Sequence, residues 1–257
     1  MKVNIWRQCI LLMLALFGAG ASQGQKTILL SKTYGKGEYE GWLRRIEPGL
    51  RLVSLYHVRP DSVDYWLNQS DGILMTGGED VYPAWYDSEK DTADCGSFDR
   101  HRDSLEMKML DHAFARKKPL FGICRGLQII NIHQRGSLVP DIPSRMGEKV
   151  KHRQDGPVEH SVEIIVPSRL YDKSGVRTGS VLSNHHQGID RPGKNLQLVA
   201  RTADGLPEAI EASSTSTMPF LMAVQWHPER MDPESPLSKP LASMFVQAVL
   251  AGTKGSK

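Results

Sequence analysis

The stretch Phe121–Gln128 (F-G-I-C-R-G-L-Q) places a cysteine between two glycines at a predicted change from strand to helix. Gly122 and Gly126 stand two positions before and after Cys124, which is the thiol counterpart of a G-x-S-x-G nucleophile elbow. Such a turn exposes the reactive side chain, and the following helix N-terminus favours a thiolate and offers N–H groups to an oxyanion. A buried structural cysteine is the alternative, because free Cys packs well among apolar groups. The spacing favours a nucleophile.

A histidine and a carboxylate follow another predicted buried strand, in Trp226–Glu229 (W-H-P-E). Residues two apart in extended chain point the same way, so His227 and Glu229 are expected to share a face, with Pro228 stiffening the link. Glu229 would hold the imidazole in one tautomer and stabilise imidazolium beside a thiolate. A surface turn is the alternative for H-P-E alone. Because open α/β sheets gather their chemistry at the carboxyl ends of strands, we predict a triad of Cys124, His227 and Glu229.

Paired glycines follow a third predicted strand, in Thr76–Asp80 (T-G-G-E-D). Their backbone N–H groups can approach a substrate carbonyl closely, because glycine has no side chain. We expect the main-chain N–H groups of Gly78 and Arg125 to form an oxyanion hole, with Gly77 contacting the substrate. An ordinary Gly-Gly turn is the alternative.

A polar segment, Ser183–Gln187 (S-N-H-H-Q), is predicted to line the substrate pocket. Adjacent strand residues point to opposite faces, so His185 and His186 could not easily ligate one ion together. No Cys or carboxylate stands at ligand spacing, and we therefore expect no metal site and no cofactor.

The remaining charged groups are interpreted as structural. Arg102, Asp103 and Glu106 begin a predicted helix, where capping and salt bridges are the preferred roles. Glu208 and Glu211 could place a carboxylate near the pocket, but packing or a solvated strand is preferred. The single histidines interpreted as structural or solvated are His57, His101, His112, His133, His152 and His160.

The elements that must position these residues alternate between short apolar runs and amphipathic stretches, which is typical of an α/β sheet. The first predicted strands span 26–30, 50–55, 72–75 and 119–123, and the helices between and after them span 39–46, 62–68, 99–116 and 126–134. Later predicted strands span 159–166, 179–182, 196–201, 208–211 and 220–226, before a closing helix at 240–250. We predict a parallel core with an additional antiparallel strand layer in the C-terminal half.

The N-terminus has the pattern of a secretory signal peptide. Lys2 and Arg7 precede an apolar run at 9–17, which is shorter than the ~20 residues that a spanning helix needs. Small residues follow, and we expect cleavage near Ala21; an uncleaved membrane anchor is the alternative. The prediction is a signal peptide at 1–21 and an exported domain at 22–257, periplasmic or secreted, without stable membrane insertion after cleavage.

Charge and cysteine content narrow the function further. Loss of residues 1–21 lowers the formal net charge from +3 to +1, which gives no electrostatic case for a nucleic-acid partner. Only Cys95 and Cys124 remain, so the fold must depend on its hydrophobic core. A bridge between them is conceivable in an oxidising compartment, but the surroundings of Cys124 argue against it. A homodimer is compatible with the sequence, which does not determine the oligomeric state.

Gly122–Gln128, together with Trp226–Glu229, resembles the class I glutamine amidotransferase-like superfamily. Within it, the chain is similar to cysteine peptidases of the γ-glutamyl-γ-aminobutyrate hydrolase type. The segments that carry this second resemblance are Thr76–Pro83, Arg102–Asp103 with Glu106, Gly136–Leu138 with Asp141–Ile142, Ser183 with His185–Gln187, and Glu208–Glu211. The matches extend from about residue 26 to residue 250.

The resemblance implies a flavodoxin-like, doubly wound sheet and hydrolysis of a γ-glutamyl amide through a thioester at Cys124. It also implies that Gln128 and His185–Gln187 line the γ-glutamyl pocket. Relatives usually have Asn at the position of Leu182, so the pocket differs there. Relatives that degrade putrescine-derived compounds work in the cytoplasm, so an exported enzyme is expected to act on another γ-glutamyl compound, such as a peptide or a cell-wall fragment.

Two other functions remain open at the level of sequence. A glutaminase subunit would pass ammonia to a synthetase, a partner that is not expected outside the cytoplasm. A binding module without turnover would have no need of a thiol, an imidazole and a carboxylate together. The preferred interpretation is a free-standing hydrolase whose partner is a small γ-glutamyl substrate.

Overall fold

The structure, a computed structural model, describes residues 24–252, and the predicted signal peptide at 1–21 lies outside this range. The strands are β1 (Thr27–Leu30), β2 (Arg51–Ser54), β3 (Gly72–Met75), β4 (Leu120–Ile123), β5 (Ser137–Val139), β6 (Val158–Ile164), β7 (Thr178–Ser183), β8 (Gly188–Arg191), β9 (Leu196–Arg201), β10 (Pro207–Ala212) and β11 (Leu221–Val224). The helices are α1 (Glu38–Arg44), α2 (Val63–Gln69), α3 (Arg100–Arg116), α4 (Arg125–His133), α5 (Ile142–Met146), α6 (Arg169–Ser174) and α7 (Lys239–Ala251). Within 24–252, no helix combines the length and the apolar character needed to cross a membrane.

Nine strands form one sheet in the order β2-β1-β3-β4-β11-β10-β9-β6-β7. The strands from β2 to β11 in this order pair in parallel, and those from β11 to β7 pair antiparallel. The predicted α/β fold with antiparallel strands in the C-terminal half is confirmed. Those strands extend the parallel sheet at one edge, while β5 and β8 form a separate two-stranded ladder.

The central parallel strands β1, β3, β4 and β11 are buried along their whole length, because helices cover both faces of the sheet, whereas the edge strand β2 is partly exposed. Phe121 on β4 packs with Trp42 of α1 and Phe245 of α7 on one face. Its neighbour Leu120 belongs to the opposite core, which includes Met109 of α3. Successive side chains of β4 therefore serve two cores, as the two-residue period of a strand requires.

Several short elements escaped the sequence patterns. They are β5, β8, α5, α6, and two 3-10 helices at Pro83–Tyr86 and Glu89–Asp94 within the predicted covering loop. The two short α-helices begin at side-chain caps, since Asp141 accepts the Ser144 N–H and Ser168 accepts the Tyr171 N–H.

The three predicted motifs follow neighbouring parallel strands. β3 pairs with β4, and β4 pairs with β11, with Met75 beside Gly122 and Val224 beside Ile123. The segments that begin after these strands therefore emerge at one edge of the sheet, where the candidate site lies.

Candidate active site

Cys124 occupies a strained turn between β4 and α4. Its φ of 53° and ψ of −110° lie outside the regions that residues with a side chain ordinarily adopt. The surroundings leave no room to relax the turn, because a Cβ on Gly126 would overlap the Met75 carbonyl and one on Gly122 would lie 2.8 Å from the Gly126 backbone. The residue is 6% exposed. The strain and the two glycines are those of a nucleophile elbow.

His227 and Glu229 lie on a buried turn directly after β11. The His227 Nδ1 is 2.8 Å from Glu229 Oε1, and the His227 N–H donates to the Leu182 carbonyl. The link is a 3-10 turn over Pro228–Arg230, not the extended chain expected from the sequence, because Pro228 occupies the first helical position. Burial opposes protonation of His227, but the negative charges of Glu229 and Cys124 outweigh it and raise the His227 pKa to about 10. The imidazole is thereby favoured as imidazolium.

Gly77 lies beside both the His227 ring and the Cys124 side chain. A Cβ built on Gly77 would lie 3.1 Å from His227 Cε1 and 3.5 Å from Cys124 Cβ. The Gly77 N–H donates to the Tyr39 hydroxyl at 3.0 Å. Burial, followed by the charges of Glu229 and Cys124, raises the Tyr39 pKa well above its ordinary value, so this hydroxyl stays protonated. Gly77 therefore matters here for the space that it leaves beside the imidazole.

The two expected oxyanion donors have free N–H groups. Among residues 24–252, neither the Gly78 N–H nor the Arg125 N–H donates to another residue, whereas the Cys124 N–H donates to the Val224 carbonyl. Gly78 adopts a φ of 147°, and a side chain at that position would overlap Arg102 and Tyr34. Both N–H groups are therefore available to a bound carbonyl oxygen.

A group of mostly buried charges, here called the arginine cluster, supports these donors. Its members are the partly exposed Glu79 and the buried Arg102, Asp103, Glu106 and Arg125. The Arg102 Nη2 donates to the carbonyls of Thr76 and Gly77, each at 2.9 Å. The Gly77 carbonyl belongs to the same peptide as the Gly78 N–H, so Arg102 fixes the orientation of that donor.

The carboxylates of the arginine cluster hold both guanidinium groups. Glu106 Oε1 lies 2.7 Å from Arg102 Nε, and Asp103 Oδ1 lies 2.6 Å from Arg125 Nη2. Arg102, Asp103 and Glu106 are completely buried. The salt bridges predicted for these residues therefore lie beneath the site and anchor the first residue of α4.

The residues predicted to line the pocket occupy different environments. The Gln128 amide donates to the Gln187 carbonyl at 3.0 Å, and the Gln187 amide donates to the Pro140 carbonyl at 3.0 Å. Ser183 is completely buried, and its hydroxyl donates to the His152 carbonyl at 2.7 Å. These bonds tie the 183–187 segment to neighbouring loops.

The adjacent histidines of this segment diverge. His186 lies between two carboxylates, with Nε2 2.9 Å from Asp80 and Nδ1 3.1 Å from Asp141. His185 is buried and turns the other way, towards Glu208 on β10. The structure thus places His186 beside the segment that carries Gly78, and His185 away from it.

The second cysteine lies apart from the strained turn. Cys95 and Cys124 are both free thiols in the described range. The Gln187 amide nitrogen is 3.3 Å from Cys95 Sγ, and burial raises the pKa of the Cys95 thiol. Cys95 therefore lacks the environment of an activated nucleophile.

Comparison with known proteins agrees with this architecture. The family model for Peptidase C26 matches residues 41–229. The chain belongs to the Peptidase C26 family. It is 33% identical over 218 residues to γ-glutamyl-γ-aminobutyrate hydrolase PuuD of Escherichia coli K12, covering 79% of this chain and 82% of that protein.

One further relative and one solved structure also match most of this chain. The chain is 31% identical over 192 residues to protein NtpR of Enterococcus hirae, covering 73% of this chain and 79% of that one. The structure matches the Trypanosoma brucei CTPS glutaminase domain with bound acivicin at a TM-score of 0.58 and 17% identity, covering 91% and 96% of the two chains. The Peptidase C26 match and PuuD support a hydrolase family, and the glutaminase domain shows the shared fold. The resemblance to class I glutamine amidotransferase-like proteins and their γ-glutamyl-γ-aminobutyrate hydrolase branch is confirmed.

Sequence patterns missed two residues beside the candidate triad. Arg230 Nε lies 3.3 Å from Glu229 Oε1 and 3.3 Å from Glu38 Oε2, so it helps to hold the carboxylate. Because Arg230 directly follows Glu229 in the sequence, this contact could have been predicted. The Tyr39 contact could not, because only the packing of α1 brings Tyr39 to Gly77.

Proposed function

We propose that this protein is an exported cysteine hydrolase that cleaves γ-glutamyl amide bonds, with Cys124, His227 and Glu229 as its catalytic triad. The observation that carries the proposal is the strained Cys124 turn beside an imidazole that Glu229 holds. Membership of the Peptidase C26 family and the γ-glutamyl substrate in the name of PuuD support the bond type.

The first half of the reaction forms a thioester. The Cys124 thiolate attacks the γ-carbonyl carbon, and the oxygen becomes an oxyanion that the N–H groups of Gly78 and Arg125 stabilise. His227, as imidazolium, gives its proton to the leaving nitrogen. The C–N bond breaks, the amine departs, and a γ-glutamyl thioester remains on Cys124.

The second half of the reaction returns the enzyme to its starting state. His227, now neutral, takes a proton from water, and the hydroxide attacks the thioester carbonyl. The C–S bond breaks, glutamate is released, and the thiolate again faces imidazolium. Glu229 keeps the Nδ1 proton in place throughout, so that Nε2 handles the transferred proton.

Export is supported by the pattern of the first 21 residues, in which Lys2 and Arg7 precede an apolar run that small residues follow. An exported enzyme would meet γ-glutamyl peptides or cell-wall fragments, and we propose this substrate class. Expression of the full chain and of a chain lacking residues 2–21, followed by cell fractionation, tests the location. Export predicts that only the full chain leaves the cytoplasm.

Turnover of a panel of γ-glutamyl compounds tests the activity. The panel contains γ-glutamyl dipeptides, γ-glutamyl-γ-aminobutyrate and glutamine, and glutamate release is measured. Cys124→Ala should abolish hydrolysis, while Cys95→Ala should retain it. Turnover of glutamine alone would instead support a glutaminase, and binding without turnover by the unmutated protein would support a binding module. Exclusive turnover of γ-glutamyl-γ-aminobutyrate would contradict the peptide or cell-wall substrate.

A further inference from the structure

A second buried group, here called the histidine cluster, consists of His152, His160, His185 and Glu208. One ligand-type atom from each side chain lies within 4.8 Å of the corresponding atoms of the other three. Glu208 Oε1 is 3.3 Å from His152 Nδ1, 3.4 Å from His185 Nε2 and 3.8 Å from His160 Nε2. Three imidazole nitrogens thus converge on one carboxylate oxygen.

The converging atoms of the histidine cluster are buried and lack hydrogen-bond partners. The most exposed of the four residues, His160, is only 8% exposed. His152 Nδ1, His160 Nε2, His185 Nε2 and both carboxylate oxygens of Glu208 make no hydrogen bond within the described chain. Buried polar atoms are rarely left unpaired, because they lose their bonds to water without gaining a partner.

Outer contacts fix the tautomers of two rings. His152 Nε2 lies 3.0 Å from Asp204 Oδ2, and His185 Nδ1 lies 2.8 Å from the Gln187 carbonyl. A carboxylate and a carbonyl can only accept, so these ring nitrogens carry the protons. The inward nitrogens of the neutral rings are then bare lone pairs that face a carboxylate. A cation at the centre would turn this repulsion into attraction.

The distances suit a particular kind of cation. Ligand atoms at about 2.0–2.1 Å from Zn²⁺ in a tetrahedron lie about 3.3–3.4 Å from one another. The separations of Glu208 Oε1 from His152 and His185 are close to that edge length, and that from His160 is slightly longer. Carboxylate or carbonyl oxygens behind the ligating histidines are the usual outer contacts of such sites.

We propose that His152, His160, His185 and Glu208 bind one divalent transition-metal ion of the Zn²⁺ class. The sequence prediction of no metal considered His185 with its neighbour His186, which diverge, and could not foresee that the sheet would bring together residues from four separate segments. Four protein ligands complete a tetrahedron and leave no open position, so the role is structural.

The site would fasten the antiparallel half of the sheet beside the catalytic edge. It joins His152 in the loop before β6, His160 on β6, His185 after β7 and Glu208 on β10. The Glu208 carbonyl accepts the N–H of Gln225 at 2.8 Å, and Gln225 lies two residues before His227. The site is therefore linked to the triad through backbone, but its existence does not depend on the proposed hydrolysis.

Metal content of the purified full chain is the primary test. Mass-spectrometric metal analysis is expected to find about one zinc per chain, and Glu208→Gln and His185→Ala are expected to reduce it at least tenfold. His101→Ala is the matched control, because His101 is exposed and lies outside the cluster. It should leave the metal content unchanged.

Two measurements keep the test valid if a ligand variant folds poorly. Asp204→Asn leaves all four ligands in place and should weaken Zn²⁺ affinity by about 10–100-fold. Co²⁺ added to chelator-treated unmutated protein should give the intense visible absorption of tetrahedral cobalt. Protein that neither retains zinc nor binds added Zn²⁺ or Co²⁺ would overturn the proposal and leave a cluster that shares protons. Because metal is measured directly, hydrolysis without metal, or metal without hydrolysis, separates the two proposals.

Discussion

The arginine cluster and the histidine cluster lie on opposite sides of Cys124 and His227 in the strand order, and both bury charge. In the arginine cluster each guanidinium faces carboxylates, as in the 2.6 Å contact between Arg125 and Asp103. In the histidine cluster, acceptor atoms converge on acceptor atoms, with the nearest nitrogen 3.3 Å from Glu208.

The two clusters show that the cost of burying ionisable groups can be offset in two different ways. The arginine cluster neutralises itself with opposite charges from the chain and uses its spare donors to orient backbone carbonyls. In the histidine cluster, the outer contacts of His152 and His185 leave the inward nitrogens of these two rings without protons. The first cluster pairs each cation with carboxylates of the chain, although Glu106 Oε2 and the Nε and Nη1 of Arg125 make no hydrogen bond within 24–252. The second cluster requires a proton or a metal ion.

Removal of one guanidinium from the arginine cluster should give the largest loss of stability among the changes predicted below. Arg102→Met removes the guanidinium that contacts both Glu106 and Glu79 and leaves them only Arg125 and Lys32, respectively. The unfolding free energy should fall by about 3–5 kcal/mol. Lys108→Met on the same helix is the control, because Lys108 pairs with Asp64 at the surface and should cost less than about 1 kcal/mol. Urea denaturation measures both, and equal losses would contradict the contrast.

Metal removal should affect the histidine cluster and not the arginine cluster. Chelation of zinc-loaded protein should lower the unfolding free energy by about 2.7 kcal/mol relative to protein in free zinc at 100 times its Kd. Glu208→Gln should lose this response, whereas Glu79→Gln in the arginine cluster should keep it. Equal responses of the two variants to chelation would remove the proposed distinction.

A methyl group between the clusters should damage the site with little effect on the fold. Gly77→Ala introduces a Cβ 3.1 Å from His227 Cε1 and 3.0 Å from the Tyr39 hydroxyl, so the imidazole must move. A displacement of a few tenths of an ångström should lower kcat by less than the about 10²-fold that a 1 Å misplacement costs. Gly41→Ala, whose added Cβ meets no atom within 4 Å, should keep full activity. Unchanged kcat in Gly77→Ala would show that the imidazole does not need its present position.

Acid should weaken the arginine cluster by a smaller amount. Burial disfavours the Glu79 carboxylate, but hydrogen bonds from Lys32 and Tyr34 and the charge of Arg102 outweigh it and lower the Glu79 pKa to about 2. A lowered pKa contributes stability above the unfolded value near 4.5, and this contribution is lost as the pH falls through about 2. Its size should be on the order of 1–3 kcal/mol.

The difference between unmutated protein and Glu79→Gln isolates this effect. Unfolding free energy measured from pH 6 to pH 2 should fall more steeply in the unmutated protein. Glu234→Gln, at an exposed pair with Lys239, should follow the unmutated protein. Parallel curves for unmutated protein and Glu79→Gln would exclude the stabilising role of this carboxylate.

Much of the fold followed from local sequence patterns. β3 and β4 are short apolar runs at sheet positions buried on both faces, and α3 carries its cap Asp99 and a regular apolar face. The segments β5 and β8 were missed because each is too short for a period and pairs only across a long separation.

The candidate site divides in the same way. Cys124, His227 and the paired glycines stand in motifs whose spacing carries their chemistry, so they could be predicted individually. The histidine cluster could not, because His152 and His160 are single histidines in sequence and meet Glu208 only through the antiparallel strands. Tyr39 was missed for the same reason. Long-range packing, which a local pattern does not encode, supplied these contacts.

Covalent trapping of the nucleophile tests whether Cys124 is the residue that attacks the substrate. The purified protein is treated with acivicin, the compound bound in the related Trypanosoma brucei glutaminase domain, and the modified residue is located by peptide mass spectrometry. We predict one adduct, on Cys124, which a γ-glutamyl dipeptide suppresses and Cys124→Ala abolishes. Adducts on Cys95 with Cys124 untouched, in protein that still hydrolyses γ-glutamyl compounds, would contradict it.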